Sequence, residues 1–401
     1  DPEGATHILI NTCGFIRDAK EESIEAILSA CRGYTDKSVV VFGCLVERYE
    51  DELRSGIPEV ADWLGIVKPG FERDLKQAIA GTEADDSSGA IRVSGGERKS
   101  HAYVKISDGC EEGCTFCSIP AIKGRYRSIS TAEIVEEAQV CLEMGARELI
   151  LVGQDTSRWK NDGITLPGLI DRLCEDDRLR WLRVMYLQPR GVDRRFLEFM
   201  ASQDRICRYL DVPFQHSHTD ILRRMGRHGD GEAFLGLLEE ARRLMPDVSI
   251  RSTFIVGFPG ERERHFEHLV SFIEQARFDY AGGFVYSPEE GTPAARLRPR
   301  VSMRTGRKRL NHLHETIERA AQSQHQGLIG TKVEVMIDEI GGGQVIEGAA
   351  AIGRMRGQAP DVDGVTHIEG RLPEDVSPGD VVSVRIGATV GWDMIGEFCA
   401  P

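Results

Sequence analysis

The stretch that decides the fold runs His101-Ala102-Tyr103-Val104-Lys105-Ile106-Ser107-Asp108-Gly109-Cys110-Glu111-Glu112-Gly113-Cys114-Thr115-Phe116-Cys117. A strand pattern, HAYVKIS (101–107), leads directly into three cysteines spaced C-x3-C-x2-C. Gly109 and Gly113 let the backbone take the tight turns that point three sulfurs inward. Cysteine thiolates in this arrangement are ligands of iron–sulfur clusters. Three ligands leave one iron of a four-iron cluster open, as catalytic metal sites keep an open position. A zinc site or incidental thiols are the competing readings. Zinc wants a fourth Cys or His, and none lies close by in the sequence.

Outward from this loop the chain repeats strand, loop, helix. Further strands are expected at ELILVG (148–153), RWLRVMYL (180–187), RYLDVPF (208–214), VSIRSTFIVG (248–257) and YAGGFVYS (280–287). Helices are expected between them, including 131–144 with Thr131 as N-cap and Gly145 as the C′ residue, 166–174 and 194–202. Six β/α units imply an incomplete TIM-like barrel, since a full one needs eight units and ~250 residues. Upstream, THILINTC (6–13) reads as a buried strand, 18–30 as a helix and 38–43 as a second strand, which together form a parallel α/β layer. Cys13 and Cys44 lie just past the C-terminal ends of these strands, where open parallel sheets bind ligands. Residues 81–99 are rich in Gly, Ser and charge and read as a linker, with a short strand at Ala90–Val93. Residues 296–326 are basic and helical in period, and after Gly327 short strands separated by Gly and Pro turns imply a small β barrel of the OB or SH3-like sort. The expected domains are 1–95, 96–326 and 327–401.

Composition bounds the function. Of 401 residues, 50 are Lys or Arg and 64 Asp or Glu, a net charge of −14. That argues against a general nucleic-acid coat, which needs cations to displace counterions from phosphate. No stretch reaches the ~18 apolar residues of a membrane helix, and Asp1-Pro2-Glu3-Gly4 has none of the marks of a signal peptide. A cytoplasmic protein with no membrane partner is expected, and the start without Met implies that the natural N-terminus lies further upstream. Ten cysteines in such a chain point to metal or catalysis before disulfides.

The cysteine loop after the first barrel strand resembles that of the radical S-adenosylmethionine (SAM) superfamily. The resemblance implies that Cys110, Cys114 and Cys117 hold a catalytic 4Fe-4S cluster whose open iron chelates SAM, and that an electron from it splits the sulfonium to release a 5′-deoxyadenosyl radical. Phe116 is then the adenine contact. Gly153-Gln154-Asp155-Thr156, ending the second barrel strand, resembles the methylthiotransferase version of the motif that binds the SAM amino group. Ile255-Val256-Gly257-Phe258-Pro259-Gly260-Glu261 resembles the segment whose glycine, here Gly257, contacts adenine; a plain Gly-Pro turn is the alternative. Asp211-Val212-Pro213-Phe214-Gln215-His216 matches a methylthiotransferase pattern and brings Gln215 or His216 to the site, although a lone histidine is more often structural.

NTCGF (11–15) and FGCL (42–45) resemble the N-terminal domain of methylthiotransferases, in which three cysteines hold a second, auxiliary 4Fe-4S cluster. Cys13 then matches the second ligand and Cys44 the third, and the family's first ligand lies on a strand before this chain begins. Cys31, Cys141, Cys174, Cys207 and Cys399 match no ligand position. Within the family, INTCGFIRDAKEESI, GQDT, Met185-Tyr186-Leu187 and GRMRGQAPDVDG (353–364) are similar to the branch that modifies an aspartate of ribosomal protein S-twelve. Trp159 and Trp392-Asp393-Met394 depart from it. The resemblance implies methylthio insertion at the aspartate β-carbon, with SAM as radical source and methyl donor and an electron donor such as flavodoxin or ferredoxin. It also implies a terminal barrel of the kind called TRAM, with no tRNA partner. A tRNA adenosine methylthiotransferase is the alternative enzyme, and a non-catalytic iron–sulfur redox sensor the alternative of another class. Charge favours a protein partner: residues 327–401 carry five basic and twelve acidic groups, and such a barrel repels phosphate and attracts a basic protein. A merely solvated acidic face is the plainer reading.

Overall fold

The computed structural model describes residues 4–68, 71–80, 99–341 and 349–400. The N-terminal unit is a parallel sheet ordered His7–Thr12, Ser38–Gly43, Asp62–Leu64. Val39, Val40 and Val41 are buried on both faces of the central strand, under Ile27 and Ala30 of helix Arg17–Gly33 and Leu45 and Val46 of helix Cys44–Gly56. The first strand, expected to be buried, is instead an edge strand with Leu9 45% exposed. The expected linker falls outside the described residues except for Lys99, as does its strand at Ala90–Val93.

All six expected barrel strands form, at His101–Lys105, Glu148–Val152, Trp181–Val184, Tyr209–Asp211, Ser249–Val256 and Tyr280–Val285. They pair in parallel as two triplets joined by a bridge from Leu182 to Ile206. The helix expected from Thr131 begins there, but its N-cap is Ser130. Its hydroxyl accepts from the Glu133 N–H while the Glu133 carboxylate accepts from the Ser130 N–H, a capping box. The seam between the first and last strands is where an eight-stranded barrel would continue. Here Tyr103 donates to the Pro360 carbonyl at 3.0 Å, and the Tyr280 ring lies 5.9 Å from that of Trp392. The C-terminal region therefore covers the seam. It is a closed barrel of five strands, Lys332–Ile340, Ala351–Met355, Thr366–Glu369, Asp393–Phe398 and Val381–Val390 in spatial order.

One buried carboxylate ties the two barrels. Glu148, at the start of the second barrel strand, accepts from Arg183 Nε at 2.8 Å and from Arg354 Nη1 of the terminal barrel at 2.6 Å, and all three side chains are essentially inaccessible. Arg354 also grips Asp338 at 2.7 and 2.9 Å. Burial alone would raise the Glu148 pKa, but the two guanidiniums outweigh it and hold it below the usual value. Removing that carboxylate leaves two buried cations facing each other. Glu148→Ala is expected to destabilise the protein by about 3–5 kcal/mol. The check is the denaturant midpoint read by fluorescence of Trp181, which is buried in the same interface beside Met336 and Ala359.

Candidate active site

The cysteine loop is shaped by glycine. Gly109 has φ +72°, and a Cβ there would stand 2.2 Å from the Arg125 carbonyl oxygen. Gly113 has φ +71° with open space around it. The loop is held from outside as well: the Thr115 N–H donates to the Met225 carbonyl at 2.8 Å, and Gly226 lies so close that a Cβ would stand 2.6 Å from Gly113 O. Each sulfur faces a donor. The Glu112 N–H lies 3.5 Å from Cys110 Sγ, the Ile119 N–H 3.4 Å from Cys117 Sγ, and Arg227 Nη1 3.7 Å from Cys114 Sγ.

Burial pushes the Cys110 thiol up and the Cys117 thiol up to about 12, so thiolates here require a compensating positive centre. Among the described residues, the only metal-capable trio whose ligand atoms all lie within 4.8 Å of one another is His218, Asp220 and His265. The three sulfurs are therefore spread too widely for one tetrahedral ion with ~2.3 Å metal–sulfur bonds. Their softness, wider spread and N–H partners fit an iron–sulfur cluster. The histidine trio does not read as a metal site. The Nδ1 atoms of His218 and His265 accept backbone N–H groups, of Asp220 and Arg262, and His265 Nε2 lies 3.1 Å from the Arg264 Nε donor, so the ring nitrogens of His265 are already taken up within the protein.

The loop opens on a cavity of about 730 Å³ over the C-terminal ends of the barrel strands. Of the sequence candidates, Cys110, Cys114, Phe116, Cys117, Gly153, Gln154 and Gln215 line it. Gly153 presses on the first barrel strand's extension, since a Cβ there would stand 2.2 Å from Ser107 Oγ. Gln215 adopts φ +68°, a conformation stored at few non-glycine positions. Asp155 is wholly buried beside the cavity; its Oδ1 accepts from Ser157 and its Oδ2 has no partner. Gln154 Oε1 is likewise buried and unpartnered. Two orphaned acceptors suit a ligand that brings donors, such as an ammonium group. Asp155, Cys13 and Cys44 lie beside the cavity without lining it, and Gly257 and His216 are not brought to its lining either. Gly257, at φ +74°, abuts Gly306 of helix Met303–Gln326, where its missing Cβ lets that helix approach. His216 is buried with Nδ1 accepting the N–H groups of Ser217 and His218, so it braces the turn.

Cys13 and Cys44 stand together beside this cavity. A Cβ on Gly14 would lie 2.6 Å from the Cys44 carbonyl oxygen, so only glycine allows the two strand-end loops to meet. Cys13 is exposed. Burial raises the Cys44 thiol, and the charge of Lys123, which lines the cavity, pulls it back. Phe15 also lines the cavity, and its carbonyl accepts from Ser118 just after the cysteine loop. Residues that sequence reasoning missed complete the walls: Lys105, Lys123, Tyr186, Asp211, Arg227 and Arg251. The strand-end positions of Tyr186 and Asp211 were a usable signal. Arg227 carried none, because only the fold brings it from a distant turn to Cys114.

Family models match the radical SAM superfamily over residues 104–273, the TRAM domain over 329–399 and an N-terminal family, uncharacterized protein family UPF0004, over 1–65. Curated relatives match nearly the whole chain. The ribosomal protein uS12 methylthiotransferase RimO of Thermodesulfovibrio yellowstonii is 38% identical over 98% of this chain and 90% of its own length. The RimO of Moorella thermoacetica is 37% identical over 99% and 92%. Among solved structures, the radical SAM methyltransferase TsrM from Kitasatospora setae, with cobalamin and a [4Fe-4S] cluster bound, superposes with a TM-score of 0.53 at 18% identity. That match covers 72% of this chain and 65% of TsrM, and it speaks to the fold alone.

The two loop glycines separate steric from conformational demand. Gly109→Ala meets both a clash and a positive φ, whereas Gly113→Ala meets only the φ. After anaerobic reconstitution, iron bound per chain is expected to fall much further in Gly109→Ala than in Gly113→Ala.

Proposed function

The chain belongs to the RimO family of ribosomal protein uS12 methylthiotransferases, within the radical SAM superfamily, and on that premise we propose that it inserts a methylthio group at the β-carbon of an aspartate in protein uS12, protein S-twelve of the small subunit. The observation that carries this reading is that Cys110, Cys114 and Cys117 line one cavity together with Phe15 and Lys123, and that Phe15 and Lys123 bring the Cys13 and Cys44 loops up beside it. A carbon lodged there can lose its hydrogen on one side and take up sulfur on the other.

In this reading Cys110, Cys114 and Cys117 hold the 4Fe-4S cluster that SAM joins, and Cys13 and Cys44 contribute to holding an auxiliary one. When bound, these groups supply the one-electron chemistry and the sulfur that an unactivated carbon–hydrogen bond requires. The chain's own residues do the rest. Arg227, fixed by Gln188 Oε1 at 2.6 Å and the Pro213 carbonyl at 2.7 Å, keeps a positive charge beside Cys114. Gln154, with its unpartnered oxygen, receives the SAM ammonium group, and Asp155 orders the loop beneath it. Phe116, edge-on to Phe258 at 6.3 Å, walls the adenine side and keeps water out. Gln215 lines the opposite wall. Gly257 acts at one remove, by seating the helix behind that wall. Electrons arrive from a small carrier such as flavodoxin or ferredoxin.

The terminal barrel recognises uS12 by charge. Of its five cations Arg354 is buried and committed to Glu148 and Asp338, which removes one positive charge from the barrel's surface. A tRNA substrate is not expected, because this surface repels phosphate. Among the described residues no helix is long and apolar enough to cross a membrane, and a protein that meets the ribosome works in the cytoplasm.

Two outcomes test the reading. Cys13→Ser and Cys44→Ser are expected to lower the iron bound per chain relative to the unaltered protein and to keep reductive cleavage of SAM while losing methylthio transfer to uS12; Cys110→Ser, Cys114→Ser and Cys117→Ser lose both activities. If Cys13→Ser and Cys44→Ser still methylthiolate uS12, the two-cluster division of labour is wrong. Binding to uS12, followed by fluorescence anisotropy, is expected to weaken roughly tenfold as added salt shortens the Debye length from ~30 Å to ~8 Å.

A further inference from the structure

Four cationic side chains line the catalytic cavity: Lys105, Lys123, Arg227 and Arg251. Three are already committed. Arg227 is spent on Gln188, the Pro213 carbonyl and Cys114. Arg251 lies between two carboxylates, 3.2 Å from Asp363 and 3.4 Å from Asp211, so its neighbourhood carries no spare positive charge. Lys105 forms a close pair with Asp108 at 2.6 Å. Lys123 differs. Its only anionic neighbour within 4 Å among the described residues is the same Asp108, at 3.9 Å, beyond hydrogen-bonding distance, and that carboxylate also accepts the Gly109 N–H. Two lysines thus share one aspartate and leave one positive charge unclaimed. The lysine that carries it is largely withdrawn from solvent, with its side chain 15% exposed.

Its position matters as much as its charge. Lys123 lines the cavity and caps the short helix Ile119–Ile122, which follows the cysteine loop and packs against helix Cys44–Gly56, so it stands between the two cysteine sets. If the proposed function holds, the reacting β-carbon must reach this junction, and an aspartate carboxylate is bonded directly to that carbon. A carboxylate brought against the wall of this cleft loses part of its hydration, and a cation there offsets that cost.

We propose that Lys123 is a specificity-determining residue that receives the side-chain carboxylate of the target aspartate and so fixes its β-carbon between the two cysteine sets. An asparagine at the same place presents no charge and leaves Lys123 unpaired. The shared chemistry is a carboxylate, and SAM carries one as well, so the experiment separates the two sources.

The test uses the anaerobically reconstituted full chain with SAM and without reductant, so that binding is read without turnover. Two synthetic uS12 peptides are titrated, one with the target aspartate and one with asparagine in its place. The wild type is expected to prefer the aspartate peptide by about tenfold or more. In Lys123→Met the preference falls to about one, and in Lys123→Arg most of it returns. Retention of the wild-type preference in Lys123→Met overturns the proposal, even when both peptides bind more weakly. So does a loss of SAM affinity, measured by equilibrium dialysis without peptide, that occurs while the peptide preference stands; Lys123 then serves SAM. A wild type that binds neither peptide points to a failure of the uS12 reading itself, which the parallel assay of tRNA tells apart.

Discussion

The carboxylate of Glu148, clamped between Arg183 and Arg354 with all three side chains buried, is the contact on which the architecture rests. Hydrophobic packing alone can let two barrels slide, because apolar contacts have no direction. A buried carboxylate between two guanidiniums permits one register, since any slip leaves unpaired charge in a dry interior. That register seats the segment 357–363 of the terminal barrel against the catalytic barrel. Tyr209 then donates to Asp363 at 2.6 Å, and Arg251 reaches the same carboxylate. Because Arg251 also lines the catalytic cavity, the terminal barrel helps build the wall of the site in addition to presenting a surface to a partner.

The cavity itself is an electrostatic compromise. Burial disfavours ionised Cys110 and Cys117, while N–H donors, the Arg227 guanidinium and a bound cluster favour them. Asp211 shows the same tension: burial raises its pKa, and Arg251 with the Tyr186 N–H pulls it back. The cations around the cavity are held differently: Arg251 lies between two carboxylates, Arg227 is fixed by neutral acceptors beside Cys114, and two lysines share Asp108.

Much of this was legible in the sequence because it is local. Three cysteines at fixed spacing with two glycines between strand and helix need only their own backbone to converge. The six barrel strands announce themselves through apolar runs of strand length. The N-cap fell one residue from expectation because Ser130 and Thr131 are both good caps, and only the reach of Glu133 decides between them. The strand Asp62–Leu64 is too short to show a period. The exposure of Leu9 was hidden because Ile8, Leu9 and Ile10 are apolar in succession, whichever way each points. What the sequence could not carry is long-range pairing. Glu148 pairs with Arg354 across 206 residues, Arg227 meets Cys114 from another loop, and the helix that Lys123 caps packs against helix Cys44–Gly56 of another domain. Gly257 sits where its motif was expected, and only the fold shows that its backbone lies against the neighbouring helix at Gly306.

The central claim is that this chain modifies a protein and not an RNA. The most direct measurement gives the reconstituted, reduced enzyme uS12 and tRNA in the same anaerobic reaction with SAM and reads both by mass spectrometry. The account predicts one methylthio group replacing one hydrogen on a single aspartate of uS12, with tRNA unchanged. A methylthio group on tRNA with uS12 unmodified would contradict it.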